Sequence, residues 1–535
     1  MDRDRRVRVY DAHSWTGISL GIILFVVCFT GSLAMFDHEI QSWEDPARRL
    51  APTDNPIPVQ PLMSQFMDEF GEPEAITFVG MTYPSAYEPY YQGRVNVRTE
   101  DGFDFHSRKW DPATGEVLPS RGDGLSTWIL DFHRDLMWPT ALGGRTVGGG
   151  LVGIFGIVMM LSIITGILTH KKILKEFFQF RVDKSVRVKW KDAHNFLGVW
   201  TLPFSIVMAF TGAWLGVVAL MLPATGALVF KGNAEQVIET IQGPPIERTG
   251  VAATMISLDE IADRPHSDSG AMPVSVFISR WGDETAEYAV NYLPDTELMY
   301  YEQEKISGVT GALLPLTGLD APSPETRVVA AVSPLHYGTY GGISLKFLYF
   351  LLGIGLSAMV ALGNMVWVER RANSSEGKRS PQFYERLARL TVGGCLGVVL
   401  ASVAIFYADV YYTGDEQTRI VYIGQWYFAV WFAVLTYAML IRNSYQSTRH
   451  ILAATGVGLL GLPIVSAMQA GEMPWHTLAA GHAASPFVDL TLFVLGIICL
   501  AVTWKLPKER KARPARRTRP SKHQESVDTA IAQTG

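Results

Sequence analysis

Eight apolar runs of about twenty residues constrain this chain more than any other feature of its sequence. They lie at 17–36, 147–169, 196–220, 343–367, 389–407, 420–441, 450–468 and 487–505. A run of about twenty apolar residues is long enough to cross the hydrocarbon core of a bilayer as a helix. The seventh run is short and contains Gly and Pro. The sequence therefore predicts a mainly α-helical membrane protein with about eight transmembrane helices.

Basic residues cluster in five segments, and eight spans place all five on one side of the membrane. The segments are RDRRVR, HKKILKEFFQFRVDKSVRVKWK, ERRANSSEGKRS, RNSYQSTRH and KLPKERKARPARRTRP. Because Lys and Arg are enriched in cytoplasmic loops, we expect this side, with both termini, to be cytoplasmic. The first run is too long for a signal-peptide core, and no small-residue cleavage site follows it.

This topology predicts two outside domains, each with helical and strand patterns. Helices are expected in PLMSQFMDEFG and SLDEIAD, and strands in YQGRVNVRTE, DFHSRKWD, PVSVFISRW, EYAVNYL and LMYYEQE. The expected order is an N-terminus 1–13, span 14–36, outside α+β domain 37–146, span 147–170, loop 171–194, span 195–220, outside α+β domain 221–341, span 342–367, loop 368–388, a separate four-helix bundle 389–505 and a disordered basic tail 506–535.

An internal repeat runs through the first four spans. DAHSWTG precedes the first span and DAHNFLG precedes the third, and LDFHRDLMW and SPLHYGTYGG precede the second and fourth. Both units have the same orientation, so we expect them to be related by an axis along the membrane normal, as in transporters with parallel repeats.

Six histidines flank the four repeat helices at the depth of the membrane boundary. Interfacial histidines can simply anchor helix ends, and that explanation suffices for any one of them. The recurrence of two positions in both units instead favours ligands that meet at the repeat axis. The six are His13 and His194 at the cytoplasmic ends, His133 and His336 at the outer ends, and His38 and His170, which close the first two spans.

Facing imidazoles in an apolar helix bundle suit haem iron, because neutral imidazole is a good iron ligand. Two pairs, one at each membrane face, predict two b-type haems. In the favoured cross-repeat arrangement, His13 pairs with His194 and His133 with His336. Unit two has no histidine at the positions that match the other two of unit one.

The alternative is a within-repeat arrangement, confined to the histidines of unit one. Its two pairs would be His13 with His170, and His38 with His133. It leaves the two recurring histidines of unit two unexplained.

The motifs of both units resemble the PepSY-associated transmembrane family over residues from about 5 to 372. RRVRVYDAHSWTGISLGIILFVVCFTGSLAMFDHEI, WDPATGEVL, LDFHRDLM and WKDAHNFLGVWTLPFSIVMAFTGAW carry the resemblance. It implies a bacterial inner-membrane protein that is iron-regulated, with a PepSY-like fold in two periplasmic domains. Some members are ferric-siderophore reductases that carry b-type haem. The resemblance also implies the haem ligands His13, His133, His194 and His336.

The function expected from these features is reduction of ferric siderophore iron in the periplasm. No dinucleotide fingerprint precedes a helix in a cytoplasmic segment, so electrons would come from a cytoplasmic protein or a quinol. The lipid bilayer is the other expected partner, and no nucleic acid is expected. Two alternatives stay open, a haem carrier that serves another acceptor and a non-redox PepSY regulatory protein. Transport is disfavoured, because the repeat helices lack charged residues near their midpoints.

The two outside domains are expected to face each other above the outer histidines. The cleft between them would have His133 and His336 at its floor. Trp138, Tyr337 and Tyr340 are candidates for its lining, although aromatic residues at this depth also form the ordinary interfacial belt.

Overall fold

Helices make up most of the chain, and strands form one sheet. The computed structural model describes residues 2–509 except 51–52, 54, 71–74, 86–87, 100–101, 171–180, 182–184, 234–235, 237–245, 294–301, 318–322 and 373–378. Its helices are α1 (Arg3–Ala34), α2 (Asp37–Glu44), α3 (Gln60–Met67), α4 (Leu125–Asp135), α5 (Gly144–Thr169), α6 (Val186–Trp200), α7 (Leu202–Leu228), α8 (Leu258–Ala262), α9 (Pro324–Tyr337), α10 (Gly342–Ala372), α11 (Pro381–Val410), α12 (Glu416–Leu440), α13 (Ser444–Ala470), α14 (Pro474–Ala479) and α15 (Ala484–Lys505). The predicted tail lies outside the described residues.

Seven of the described helices are long and apolar enough to cross a membrane. They are α1, α5, α10, α11, α12, α13 and α15, and α6 with α7 makes an eighth if that bent pair is one span. Apolar composition alone therefore located nearly all the predicted spans. The seventh predicted run lies within α13, which continues through Pro463.

The third predicted span, 195–220, is not one straight helix. Its chain is divided between α6 and α7, whose axes differ by 68° at Thr201. Pro203 lies in the first turn of α7. Proline has no backbone N–H and collides with the carbonyl one turn earlier, which explains why α6 ends there and a new helix begins.

The strands of the two segments that were predicted to lie outside form one antiparallel sheet of seven described strands in the order β3-β2-β1-β4-β5-β6-β7. This corrects the expectation of two separate domains that face each other. The junction is the pairing of β1 with β4, and it removes two free strand edges that would otherwise attract other chains. The strands are β1 (Ile76–Thr82), β2 (Tyr91–Thr99), β3 (Gly102–Trp110), β4 (Pro273–Ser279), β5 (Glu287–Tyr292), β6 (Glu302–Ser307) and β7 (Leu313–Leu314).

The core of the sheet lies under α3 and α8. Val79, Val95, Val276 and Val290 are fully buried there, on strands from both outside segments. The two segments thus share one hydrophobic core. The sequence patterns did not predict β1, the first strand in chain order.

The C-terminal helices are not a separate bundle, as was expected, because they share a core with unit one. Trp43 of α2 donates its indole N–H to Asp489 of α15 at 2.7 Å and packs on Phe406 of α11. Glu39 of the same short helix forms a buried ion pair with Lys346 of α10 at 3.0 Å. These contacts fix α2 between the repeat helices and the C-terminal helices.

Candidate cofactor site

His13 and His194 meet at the end of the helix bundle away from the sheet. Their ring centres are 6.4 Å apart and their planes differ by 66°. His13 contacts α5, where its Nδ1 lies 3.0 Å from the carbonyl oxygen of Ser162. His194 contacts α10, where its Nδ1 lies 2.8 Å from the carbonyl oxygen of Met359. We call these two residues the far-side pair.

His133 and His336 meet at the end of the bundle beneath the sheet. Their ring centres are 6.1 Å apart and their planes differ by only 21°. Nδ1 of His133 lies 2.9 Å from the carbonyl oxygen of Val27 in α1. Nδ1 of His336 lies 2.9 Å from the hydroxyl of Thr211 in α7. We call these two residues the sheet-side pair.

The hydrogen bonds assign the same tautomer to all four rings. A carbonyl oxygen only accepts, so three of the Nδ1 atoms must carry the proton. The Thr211 hydroxyl donates its one proton to the carbonyl of Val207 at 2.7 Å, so its oxygen accepts from His336. Each ring therefore keeps the lone pair of Nε2 free. Metal-bound histidines generally make such a hydrogen bond through the other ring nitrogen.

A glycine faces each of the four rings. A Cβ added to Gly31 would lie 2.6 Å from His133, and one added to Gly212 would lie 3.1 Å from His336. At the far-side pair the corresponding distances are 3.4 Å from Gly166 to His13 and 3.0 Å from Gly363 to His194. Small residues at these positions let the rings lie against the helix backbones.

The spacing of these contacts is the same in the two units. Gly31 follows His13 by 18 residues, and Gly212 follows His194 by 18 residues. Along α1 this separation is about 27 Å at 1.5 Å per residue. The two pairs are thus separated by nearly the thickness of a hydrocarbon core, about 30 Å.

A cavity of about 320 Å³ lies beside the sheet-side pair, between helices of both units. Both rings of the pair line it, together with apolar side chains of α1, α5, α7 and α10. Glycines occupy several lining positions, namely Gly31, Gly149, Gly156, Gly212, Gly216 and Gly353. The predicted open cleft between two facing domains is replaced by this cavity beneath a single sheet.

The N-terminus of α4, the helix that carries His133, is held by a buried ionic cluster. Glu44 accepts hydrogen bonds from the backbone N–H of Leu125 at 2.5 Å and the hydroxyl of Ser126 at 2.7 Å. Arg419 of α12 lies 3.1 Å from Glu44 and also donates to Asp409 of α11. We call Glu44, Asp409 and Arg419 the α4 cluster.

Burial raises the pKa of Glu44 to about 7. The neighbouring Asp409 acts in the same direction, and Arg419 opposes both. The sequence analysis did not identify the α4 cluster, because Glu44 lies 375 residues from Arg419 along the chain. The available signal was a charged residue at the edge of an apolar run, which is costly in a membrane and often functional.

The remaining predicted residues occupy other surroundings. His38 lies 4.0 Å from Asp37, and His170 follows α5 and interacts electrostatically with both far-side histidines. The rings that face each other come from different units, as in the cross-repeat arrangement.

The aromatic residues predicted for the cleft are dispersed. Tyr337 lines the cavity. Tyr340 contacts the hydroxyl of Tyr349 at 2.9 Å, and Trp138 donates to the carbonyl of Leu142 at 3.1 Å.

The geometry of both pairs fits a metal held between two imidazoles. With metal–nitrogen bonds of about 2.0–2.1 Å, two such rings have their centres about 6 Å apart. The observed 6.1 and 6.4 Å match this separation. Among the described residues no group of three or more His, Cys, Asp or Glu side chains could hold a metal ion. The donor set therefore fits a cofactor that brings its own equatorial ligands better than a bare ion.

The apolar helices and the paired histidines define a multi-pass membrane protein with a symmetric candidate cofactor site. The chain belongs to the PepSY-associated TM region family, whose model matches residues 10–370, and the predicted membership is confirmed. It is 25% identical over 389 residues to an uncharacterized protein of Pseudomonas aeruginosa, a match that covers 70% of this chain and 93% of that protein. Helices α11 to α15 lie beyond the family match.

Proposed function

We propose that this chain is a haem-containing oxidoreductase of the bacterial inner membrane that reduces ferric siderophore iron in the periplasm. The observation that carries the proposal is the facing of four histidines in two pairs, each with Nδ1 hydrogen-bonded and Nε2 free. Neutral imidazoles with a fixed tautomer are suited to bind haem iron from both sides.

The residues of this chain would hold two haem b groups, one at each pair. Haem iron supplies reversible one-electron chemistry when it is bound. The protein would supply histidine nitrogen atoms to hold each group, an apolar surrounding and two sites that are about 27 Å apart along α1. Both termini would be cytoplasmic, which makes the far-side pair the cytoplasmic one and the sheet periplasmic.

The proposed reaction takes one electron for each ferric ion. A cytoplasmic protein or a quinol is oxidised, and Fe(III) in the siderophore is reduced to Fe(II). Hard oxygen chelators bind Fe(II) more weakly than Fe(III), so reduction would release the iron. The position of the sheet-side pair supports delivery on the periplasmic face, because the pair lies at the end of the bundle from which the chain enters and leaves the sheet.

A reduced-minus-oxidised spectrum of the purified full-length protein tests the class of function. We expect the Soret and α bands of b-type haem with two histidine ligands, and about two haems per chain. Their absence would overturn the proposal and favour a non-redox PepSY regulatory role.

A second experiment tests the acceptor. Dithionite-reduced protein is mixed with a ferric siderophore, and reoxidation of the haem is followed by absorbance. We expect His133→Ala to reoxidise much more slowly than the parent, while His106→Ala, on the exposed face of β3, matches it. Equal rates in the parent and His133→Ala would exclude electron delivery from a haem held by His133.

A further inference from the structure

The cavity beside the sheet-side pair has an unequal distribution of charge. Among the described residues that line it, Arg134 and Arg145 carry the only permanent charges, and no carboxylate lines it. The rest of the lining is apolar or glycine, apart from Ser32, Cys28, two tyrosines and the histidine pair. A cavity of this kind favours an amphipathic anion.

The two arginines lie together at the sheet end of the cavity. Arg134 directly follows His133 in the last turn of α4, and Arg145 lies in the first turn of α5. Met159, which lines the opposite part, lies 14 residues further along α5. That separation is about 21 Å along the helix, so the cavity has a cationic end and an apolar end.

Carboxylates outside the cavity hold the arginines in place. Asp131 accepts from Nη2 of Arg134 and, at 2.9 Å, from Nη2 of Arg145. Nε of Arg145 lies 3.5 Å from Asp135. A guanidinium has five N–H donors, so both arginines keep donors for another partner.

Arg134 provides the clearest sign of a missing partner. Its Nε is buried and has no hydrogen-bond acceptor among the described residues. Buried polar atoms nearly always have a partner in folded proteins, and an exception calls for an explanation. A ligand carboxylate in the cavity would provide the acceptor.

We propose that this cavity takes a flat, mainly apolar dicarboxylate, whose two carboxylates bind Arg134 and Arg145. The inference rests on the proposed function and deepens it, because haem carries two propionates on one edge. That edge would face the sheet, and the apolar edges would lie against Leu24, Met159 and Leu356. The arginines then fix the orientation of the ligand between the histidines, and the cavity discriminates against an uncharged macrocycle.

The test compares haem with its dimethyl ester, in which both carboxylates are blocked. Full-length protein is produced in haem-deficient cells and titrated with each compound, and binding is followed at the Soret band. The His194→Ala variant is titrated in parallel, so that only the sheet-side pair has both histidines. Because the free carboxylates would accept charge-assisted hydrogen bonds that the ester cannot, we expect haem to bind about tenfold tighter than the ester.

Replacement of both arginines sharpens the comparison. In Arg134→Gln/Arg145→Gln, haem affinity should fall to that of the ester, and the ester affinity should stay unchanged. Arg108→Gln is the matched control, because Arg108 lies on β3 and pairs with Glu69 outside the cavity.

Each outcome decides between the two proposals. Equal affinity of the His194→Ala variant for haem and ester, with a normal two-histidine spectrum, would overturn the carboxylate inference and leave the proposed function intact. Binding of neither compound would overturn both. If the double variant does not fold, the comparison of the two compounds on the His194→Ala variant still decides.

Discussion

Helices α4 and α9 carry the two histidines of the sheet-side pair, yet their surroundings differ strongly. Trp128 and Phe132 of α4 are buried against Tyr427 of α12, at ring distances of 4.5 and 5.0 Å. On α9, by contrast, Val328 is 70% exposed and Val329 is 45% exposed. Both helices end with a residue in the left-handed conformation, Leu136 after α4 and Gly338 after α9.

The difference shows what the C-terminal helices add to a symmetric site. They pack against unit one through α2, α4 and the α4 cluster, and so they fix His133 from outside the repeat. His336 is positioned mainly by its bond to Thr211 and by the ring that faces it. His133 is thus held by buried contacts with the C-terminal helices, and His336 lies on a more exposed helix.

The largest expected effect is a loss of haem, and it should be the same for the histidine of α4 and the histidine of α9. If the proposed function holds, both rings would bind the same iron, so His133→Ala and His336→Ala should each lose the sheet-side haem, about half of the total. Haem per chain, measured as the pyridine haemochrome, checks this, with His106→Ala as the control. A variant that keeps its full haem content would remove that histidine from the site.

Arg419→Ala should show the difference between α4 and α9 most clearly, because it should destabilise α4 and leave α9 nearly unchanged. It leaves Glu44 buried without its cation, while Asp409 keeps Arg121 at 3.9 Å. Removal of one partner from a buried ion pair typically costs about 3–5 kcal/mol. We expect a lower midpoint of chemical unfolding and faster hydrogen exchange in α4, with little change in α9. Arg327→Ala, at an exposed position of α9, should change stability by less than about 0.5 kcal/mol. Equal exchange in both helices would show that the C-terminal helices do not support α4 selectively.

Replacement of a ring-facing glycine by alanine should disturb the ring more strongly where the added methyl group would lie closer to it. Gly31→Ala brings a methyl group to 2.6 Å from a ring that is fixed by its bond to Val27, whereas Gly212→Ala brings one to 3.1 Å from its ring. Overpacking typically costs about 1–3 kcal/mol. Gly31→Ala should therefore change the orientation of its ring more than Gly212→Ala does.

The electron paramagnetic resonance of the ferric haem checks this order, because its g-values depend on the mutual orientation of the two imidazoles. Gly17→Ala on the same helix is the control, since its added methyl group has no neighbour within 4 Å among the described residues beyond its own stretch of helix. A larger shift in Gly212→Ala than in Gly31→Ala would contradict the order expected from the two distances.

The smallest expected effect is a pH dependence of the α4 cluster. The carboxyl of Glu44 has a pKa near 4.5 when unfolded and about 7 when folded, so the folded state holds more protons between these values. Its contribution to stability is therefore present at low pH and is lost as the pH rises through this window. The thermal unfolding temperature should therefore fall as the pH rises from about 5 to 8. In Glu44→Gln this dependence on pH should be weaker. An unchanged slope in the variant would assign the pH dependence to other groups.

The sequence contained enough to locate the spans and to select the four histidines. Apolar runs of sufficient length specify membrane helices almost alone, because an unpaired backbone is too costly in lipid. The recurrence of Asp-Ala-His and of the later histidine in each unit singled out the residues that the structure brings face to face. The prediction of a straight third span was wrong, because a single proline in the first turn of α7 interrupts the helix despite the apolar pattern.

Three features could be seen only in the tertiary structure. They are the shared sheet, the support of α4 and the position of the two arginines in the cavity. β1 pairs with β4 across almost two hundred residues, and Glu44 meets Arg419 across 375. No local pattern encodes such contacts, because they arise only when separate elements bury their surfaces together. The sequence by itself determined which segments enter the membrane and which rings recur, since both follow from local composition and repetition. The fold decided which ring faces which, what holds each one, and where the charges of the cavity lie.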